Sequence, residues 1–157
     1  MHRYGATEED FCRVAVKIHY YGSLNPKAQF QRAITLEECL SSRYVAWPLK
    51  LYDSSPVTDG AAAVMLAGEE AAREITDTPV WIKAIGYANG TANLCKRLDF
   101  LGLEAARLAA RLAYKKSGID PENPAKHLDV AEIHDCFTIA EIMAKTSVSR
   151  RGVRGTS

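Results

Sequence analysis

Residues 128–143, reading LDVAEIHDCFTIAEIM, constrain this chain more than any other stretch. Leu128, Val130, Ala131 and Ile133 make a short apolar run, which predicts a strand covered on at least one face. The polar cluster His134-Asp135-Cys136 ends it. Thr138 and Glu141 then stand at the Thr-x-x-Glu spacing of a capping box, in which each side chain satisfies a backbone donor in a helix's first turn. A helix is therefore predicted to begin at about Thr138. His134, Asp135 and Cys136 fall at the carboxyl end of a strand and beside a helix amino terminus. Unpaired N–H groups and the helix dipole favour negative charge there. Such a place suits a thiolate or a developing oxyanion. The same residues also fit plainer roles: Cys136 as a small core hydrophobe, His134 as the polar end of a strand, Asp135 as a helix cap.

The rest of the chain gives that stretch a setting. At 157 residues it has the size of one domain and can bury a core. Lysines and arginines number 20 against 19 acids, so no electrostatic footprint for nucleic acid or an anionic membrane emerges. No apolar run approaches the ~20 residues that span a bilayer. The opening MHRYGATEEDF lacks the apolar core of a signal peptide, which points to a cytoplasmic protein. Cys12, Cys39, Cys95 and Cys136 are widely spaced without a Cys-x-x-Cys pair, so neither a zinc cluster nor a disulfide framework is indicated. His2, His19, His127 and His134 show no metal-ligand spacing either.

In chain order, Thr7 caps Glu8, Glu9 and Asp10, and Phe11, Val14, Ala15 and Ile18 form a buried stripe, predicting a helix over about 7–20 with His19 at its rim. Tyr21-Gly22-Ser23-Leu24-Asn25-Pro26 breaks it by turn chemistry. Thr35-Leu36-Glu37-Glu38 opens a second, short helix after a solvated connector. Trp47 to Asp53 reads as an extended approach, with Pro48 confined to an edge or a strand start. Ala61 to Leu66 is fully apolar and fits a buried strand or a buried helical turn. A brief helix over 69–74 and a linker at Thr76-Asp77-Thr78-Pro79 follow. Residues 80–87 then read as a strand closed by Gly86. The broad apolar face of Leu103, Ala106, Leu108, Ala109, Ala110, Leu112 and Ala113 predicts a helix over 102–117 that stops at Gly118. Strand, helix and the 128–133 strand make a βαβ unit with parallel strands and a right-handed crossover.

His134-Asp135-Cys136-Phe137 followed by a helix resembles the HDCF motif of thiolases of the sterol carrier protein type and of their archaeal relatives. Upstream, Ser55-Pro56-Val57-Thr58-Asp59-Gly60-Ala61-Ala62-Ala63-Val64 resembles that family's Asp-Gly-Ala-Ala-Ala segment. Asn25-Pro26-Lys27-Ala28 and Met1-His2-Arg3-Tyr4-Gly5-Ala6-Thr7-Glu8 resemble its loop domain. The resemblance implies an α/β, partial thiolase fold: an irregular helical loop domain plus part of a βαβ mixed-sheet core, with 61–66 a strand. It divides the chain into a loop-domain-like region (1–52), the end of a first core domain (53–78), the first half of a carboxyl-terminal core domain (79–144) and an aberrant tail (145–157).

Thiolases make or break a carbon–carbon bond between acyl-CoA units through an acyl-enzyme on a cysteine. The resemblance implies that His134 contributes to the oxyanion hole for the enolate and that Cys136 serves as an acid/base group. Asp135 and Phe137 would shape the loop. Coenzyme A or acyl-CoA would be the substrate, with no permanently bound cofactor, no metal, and no assignment of coenzyme A contacts to particular residues.

Two family parts have no counterpart here: the nucleophilic-cysteine domain and the Gly-His-Pro and Cys-x-Gly regions. The expectation is a fragment of an acetyl-CoA acetyltransferase that is inactive alone and is completed by a missing thiolase half or a second copy. The rival is a non-catalytic binding or scaffold subunit, or a component of a thiolase-like aldolase complex. In that family a zinc-ribbon/OB-fold protein is the partner. The basic, patternless Lys145-Thr146-Ser147-Val148-Ser149-Arg150-Arg151-Gly152 departs from the family and fits a shifted reading frame, or else a genuine basic tail that binds phosphate.

Overall fold

The computed structural model describes residues 1–2, 4–97 and 100–148, the last four by backbone alone. Five α-helices are present among the described residues: α1 (Glu8–Leu24), α2 (Leu36–Ser41), α3 (Glu69–Ile75), α4 (Glu104–Ser117) and α5 (Thr138–Val148). Their starts follow the capping chemistry. Thr7 and Asp10 form a reciprocal box at α1, with the Thr7 N–H donating to Asp10 Oδ2 at 2.7 Å and the Asp10 N–H donating to Thr7 Oγ1 at 3.3 Å. Thr35 Oγ1 accepts from the Glu38 N–H at 3.1 Å at the head of α2. Gly118, in the left-handed region at φ 75°, ends α4 as only glycine does without strain.

α1 runs one turn past the predicted break. Gly22 lies inside it because the Phe30 carbonyl comes so close that an added Cβ would sit 3.1 Å from its oxygen. The glycine is thus a close-approach residue that lets the 25–34 connector fold back on the helix.

The core sits between α1 and α2. Cys12, Ala15, Ile34 and Cys39 are buried together, with Val16, Leu36, Leu40 and Tyr52 packed against them. Phe11 is 2% exposed, a burial that contributes about 2–3 kcal/mol for an aromatic of this size. Cys12 and Cys39 form a disulfide across this core, their Cα atoms 5.7 Å apart and 27 residues apart in sequence. This corrects the reading from spacing alone. No motif announces the pair, because two helices bring the cysteines together and neither flanks the other in sequence.

The described sheet has two antiparallel strands, β1 (Tyr44–Ala46) and β2 (Leu49–Lys50), joined at the cis Trp47–Pro48 bond. Helices and this small sheet together give an α/β fold. The three stretches predicted as strands, 61–66, 80–87 and 128–133, carry no ladder among the described residues. A strand exists only through a neighbour that takes up its N–H and C=O groups, and these stretches have none in the described chain. The βαβ unit is accordingly not closed by sheet pairing. Val64, Val80 and Val130 are 84%, 94% and 77% exposed where a core sheet would cover them.

The broad face of α4 shows the same shortage of partners. Tyr114 is its buried residue, whereas Leu108 and Leu112 stay exposed. The 80–87 stretch does lie on this helix. Gly86 is pressed against the α4 backbone, and the Lys116 ammonium donates to the Ile85 carbonyl at 3.2 Å. The predicted 145–157 tail is helical in backbone through Val148, and the remainder lies outside the described residues.

Candidate functional site

α5 begins at Thr138, as its spacing predicts, yet the two capping-box side chains turn to tertiary partners. The Thr138 hydroxyl donates to Asp53 Oδ1 at 2.7 Å across 85 residues of sequence, and the Lys17 ammonium of α1 pairs with the Glu141 carboxylate. Asp53, Thr138 and Glu141 are each 2% exposed. Buried polar groups this deep require partners, so these contacts dock the start of α5 onto α1 and the 3₁₀ turn Leu51–Asp53. The Ser55 N–H donates to the Cys136 carbonyl at 3.0 Å, and Ser54 bridges Phe137. The motif loop is therefore held on the 53–55 segment by main chain and side chain together.

The four motif residues are brought to one turn but do not share one environment. His134 and Phe137 are exposed, while Asp135 and Cys136 are half-buried. Asp135 joins the wall of a cleft of about 230 Å³ between α1, the connector and the 52–56 segment. His19, Phe30, Tyr52, Ser54 and Ser55 line the same cleft. His134, Cys136 and Phe137 are not among its lining residues.

Two lining residues, His19 and Tyr52, carry polar contacts that the sequence does not disclose. His19 Nδ1 lies 3.0 Å from the Arg32 carbonyl, and its ring meets Tyr52 edge-on at 5.4 Å. The Tyr52 phenol donates to Glu38 Oε1 at 2.7 Å, which holds its proton above the usual phenol range. Arg32, 2.5 Å from the same carboxylate oxygen, and then Tyr52 keep Glu38 below its ordinary value of 4.5. At the other end of α1, hydrogen bonds from Tyr44 and then Lys50 lower Glu8 in the same way. His19 is the rim residue the helical stripe predicts, now with a defined contact to the connector.

Of the four cysteines, Cys12 and Cys39 are bonded to each other and fully buried, which leaves Cys95 and Cys136 as thiols. Among the described residues no group of three or more His, Cys, Asp or Glu side chains is placed to hold a metal ion. No described helix is long and apolar enough to cross a membrane.

No family profile matches the chain. It is 44% identical over 144 residues to an acetyl-CoA acetyltransferase of Methanothermobacter thermautotrophicus, an alignment covering 92% of this chain. It is 34% identical over 144 residues to the benzoylsuccinyl-CoA thiolase subunit BbsB of Thauera aromatica, covering 91% of this chain. The chain is a partial thiolase-like chain. It spans 37% of the first relative's length and 36% of the second's.

A solved structure of an Ltp2-ChsH2(DUF35) aldolase superimposes on this thiolase-like chain with a TM-score of 0.79 at 31% identity, covering 94% of this chain and 39% of that one. The unpaired 61–66, 80–87 and 128–133 stretches thus belong to a chain much shorter than the relatives it matches. Apolar residues along these stretches are exposed, Val64, Val80 and Val130 among them.

Proposed function

We propose that this thiolase-like chain supplies part of the site of an acyl-CoA C-acyltransferase that condenses or cleaves acyl-CoA units. The observation that carries the reading is the docked turn at residues 134–137. Its backbone is clamped by buried Asp53 and by Ser55, while His134 stays free to meet a ligand.

In the proposed chemistry His134 donates a hydrogen bond to the enolate oxygen of the acyl-CoA, and Cys136 moves the α-proton as acid and base. Asp135 and Phe137 hold the turn in shape. The acyl group would ride on a cysteine outside this chain's described thiols. Cys12 and Cys39 are sealed in the core, Cys136 is already assigned to proton transfer, and Cys95 stands on the exposed 3₁₀ turn Leu94–Lys96. The chain alone would therefore not turn over. A complementary thiolase half, a second copy or a further subunit would complete the site and cover the unpaired strands.

A second reading, a subunit of an aldolase assembly, is favoured by the superposition on the Ltp2-ChsH2(DUF35) aldolase. That chemistry also ends in an enolate, so His134 would keep its place and the acyl-accepting cysteine would be dispensable.

Both readings require the chain to hold a coenzyme A thioester. A ligand present at a hundred times its Kd stabilises by about 2.7 kcal/mol, a rise in Tm of roughly 8 °C for a domain of this size. We expect coenzyme A or acetyl-CoA to raise the Tm in a concentration-dependent way, with adenosine alone ineffective. A Tm unmoved by millimolar coenzyme A would overturn the reading.

A further inference from the structure

Asp53 has no part in the proposed chemistry, yet it is among the most completely buried charged groups described. Its carboxylate uses both oxygens: Oδ2 accepts the Lys50 N–H at 2.7 Å and Oδ1 accepts the Thr138 hydroxyl at 2.7 Å. One oxygen fixes the turn on which Asp53 sits. The other reaches across to the first residue of α5, next to the motif loop. Two residues on, the Ser55 N–H holds the Cys136 carbonyl at 3.0 Å. The 53–55 segment therefore grips the motif loop on both sides of Phe137.

From this arrangement we infer that Asp53 is a positioning residue: through the Thr138 hydroxyl it sets where the His134 to Cys136 loop stands relative to the region formed by α1 and α2. The inference rests on the reading of that loop as the reactive part. The chemistry of the grip supports it. A carboxylate accepts from a neutral hydroxyl and from an amide at once, so rotation of either partner breaks a charge-assisted bond in a buried site. Asparagine could keep its oxygen on the Lys50 N–H and donate its amide N–H to the Thr138 oxygen, but both bonds would then be neutral and the second reversed in direction. The 53–55 grip is distinct from the Lys17–Glu141 pair, which ties the next turn of α5 to α1.

The reactivity of the Cys136 thiol reads the loop's position directly, and exposed Cys95 serves as an internal reference. In Thr138→Val the methyl replaces the hydroxyl at constant shape and leaves Asp53 Oδ1 unsatisfied. Iodoacetamide should then alkylate Cys136 at least about fivefold faster, because loss of one buried hydrogen bond raises the undocked population by that much or more. Asp53→Ala should do the same. Thr138→Ser should behave as the unaltered chain, and Cys95 should react at an unchanged rate in all three.

Unchanged Cys136 rates in folded Thr138→Val and Asp53→Ala would overturn the inference. So would equal acceleration at Cys95, which would mean general loosening. Should the variants not fold, amide exchange in the unaltered chain decides: a protected Ser55 N–H upholds the grip and a fast-exchanging one refutes it. None of these readouts needs coenzyme A. A chain that fails to bind the ligand while its Cys136 still depends on Thr138 would sink the proposed function and leave Asp53 as a positioning residue.

Discussion

Reducing the Cys12–Cys39 disulfide is expected to cost the folded chain about 3–4 kcal/mol, the loop-closure value for a crosslink between residues 27 apart. The bond ties α1 to α2 at the centre of the 8–41 region, where both sulfurs are fully buried. The region's buried core comprises four small or medium side chains with four more leaning on them. Opening the crosslink lengthens the unfolded chain's freedom without adding a native contact. Thermal or urea unfolding with and without dithiothreitol should show it, and Cys12→Ala/Cys39→Ala should match the reduced chain and lose its sensitivity to reductant. A thiol count under denaturing conditions identifies the state. The oxidised chain exposes two reactive thiols, Cys95 and Cys136, and the reduced chain four. Identical stability in the two states would mean that the helices hold together without the bond.

Gly86→Ala is the second large effect. A Cβ at this position would lie 1.9 Å from the Ala109 carbonyl oxygen and 2.9 Å from the Ala113 nitrogen. Both are helix backbone, so no flexible side chain can move aside. Either α4 or the 80–87 stretch must shift, and overpacking of this kind costs about 1–3 kcal/mol or more. The stretch has no sheet neighbour to hold it among the described residues. It should therefore give way first, breaking the contact between Lys116 and the Ile85 carbonyl. Trp81, half exposed and stacked beneath Arg73 at 5.3 Å, provides the probe. Its fluorescence should move toward that of a solvated indole in Gly86→Ala, while α1 and α2 keep their helicity. Unaltered fluorescence and unaltered Tm would show that the close approach is not occupied in solution.

The helices were legible because their determinants are local. Thr7, Thr35 and Gly118 mark helix ends by chemistry that involves residues within four positions. The motif loop was legible as well, since a polar cluster between an apolar run and a capping spacing has few other places to go. The determinants that escaped are non-local. The Cys12–Cys39 bond, the Asp53–Thr138 contact and the burial of Glu141 against Lys17 each join residues that no periodicity relates. The β1–β2 hairpin is half legible: the sequence confines Pro48 to an edge or a strand start, but the turn residues between Ala46 and Leu49 carry no Asn-Gly or Gly-Gly signal.

The strands failed for a different reason. Residues 61–66, 80–87 and 128–133 have strand composition, and composition specifies a strand only where neighbours exist to pair with it. The relatives are almost three times as long as this chain's alignment to them, and an apolar run does not itself carry the neighbour that a strand needs. Thr138 and Glu141 show the same limit in reverse. Their spacing is that of a local box, and burial turned both side chains to distant partners.

Thiolysis of acetoacetyl-CoA by the purified chain, run beside Cys136→Ala, tests most directly whether this thiolase-like chain holds its reactive turn without an acyl-accepting cysteine. No turnover is expected from either protein in the absence of a complementary chain, with both still stabilised by coenzyme A. Turnover by the chain alone would place an acyl-accepting cysteine in this chain and contradict the account, whether Cys136 acted there as nucleophile or as acid and base.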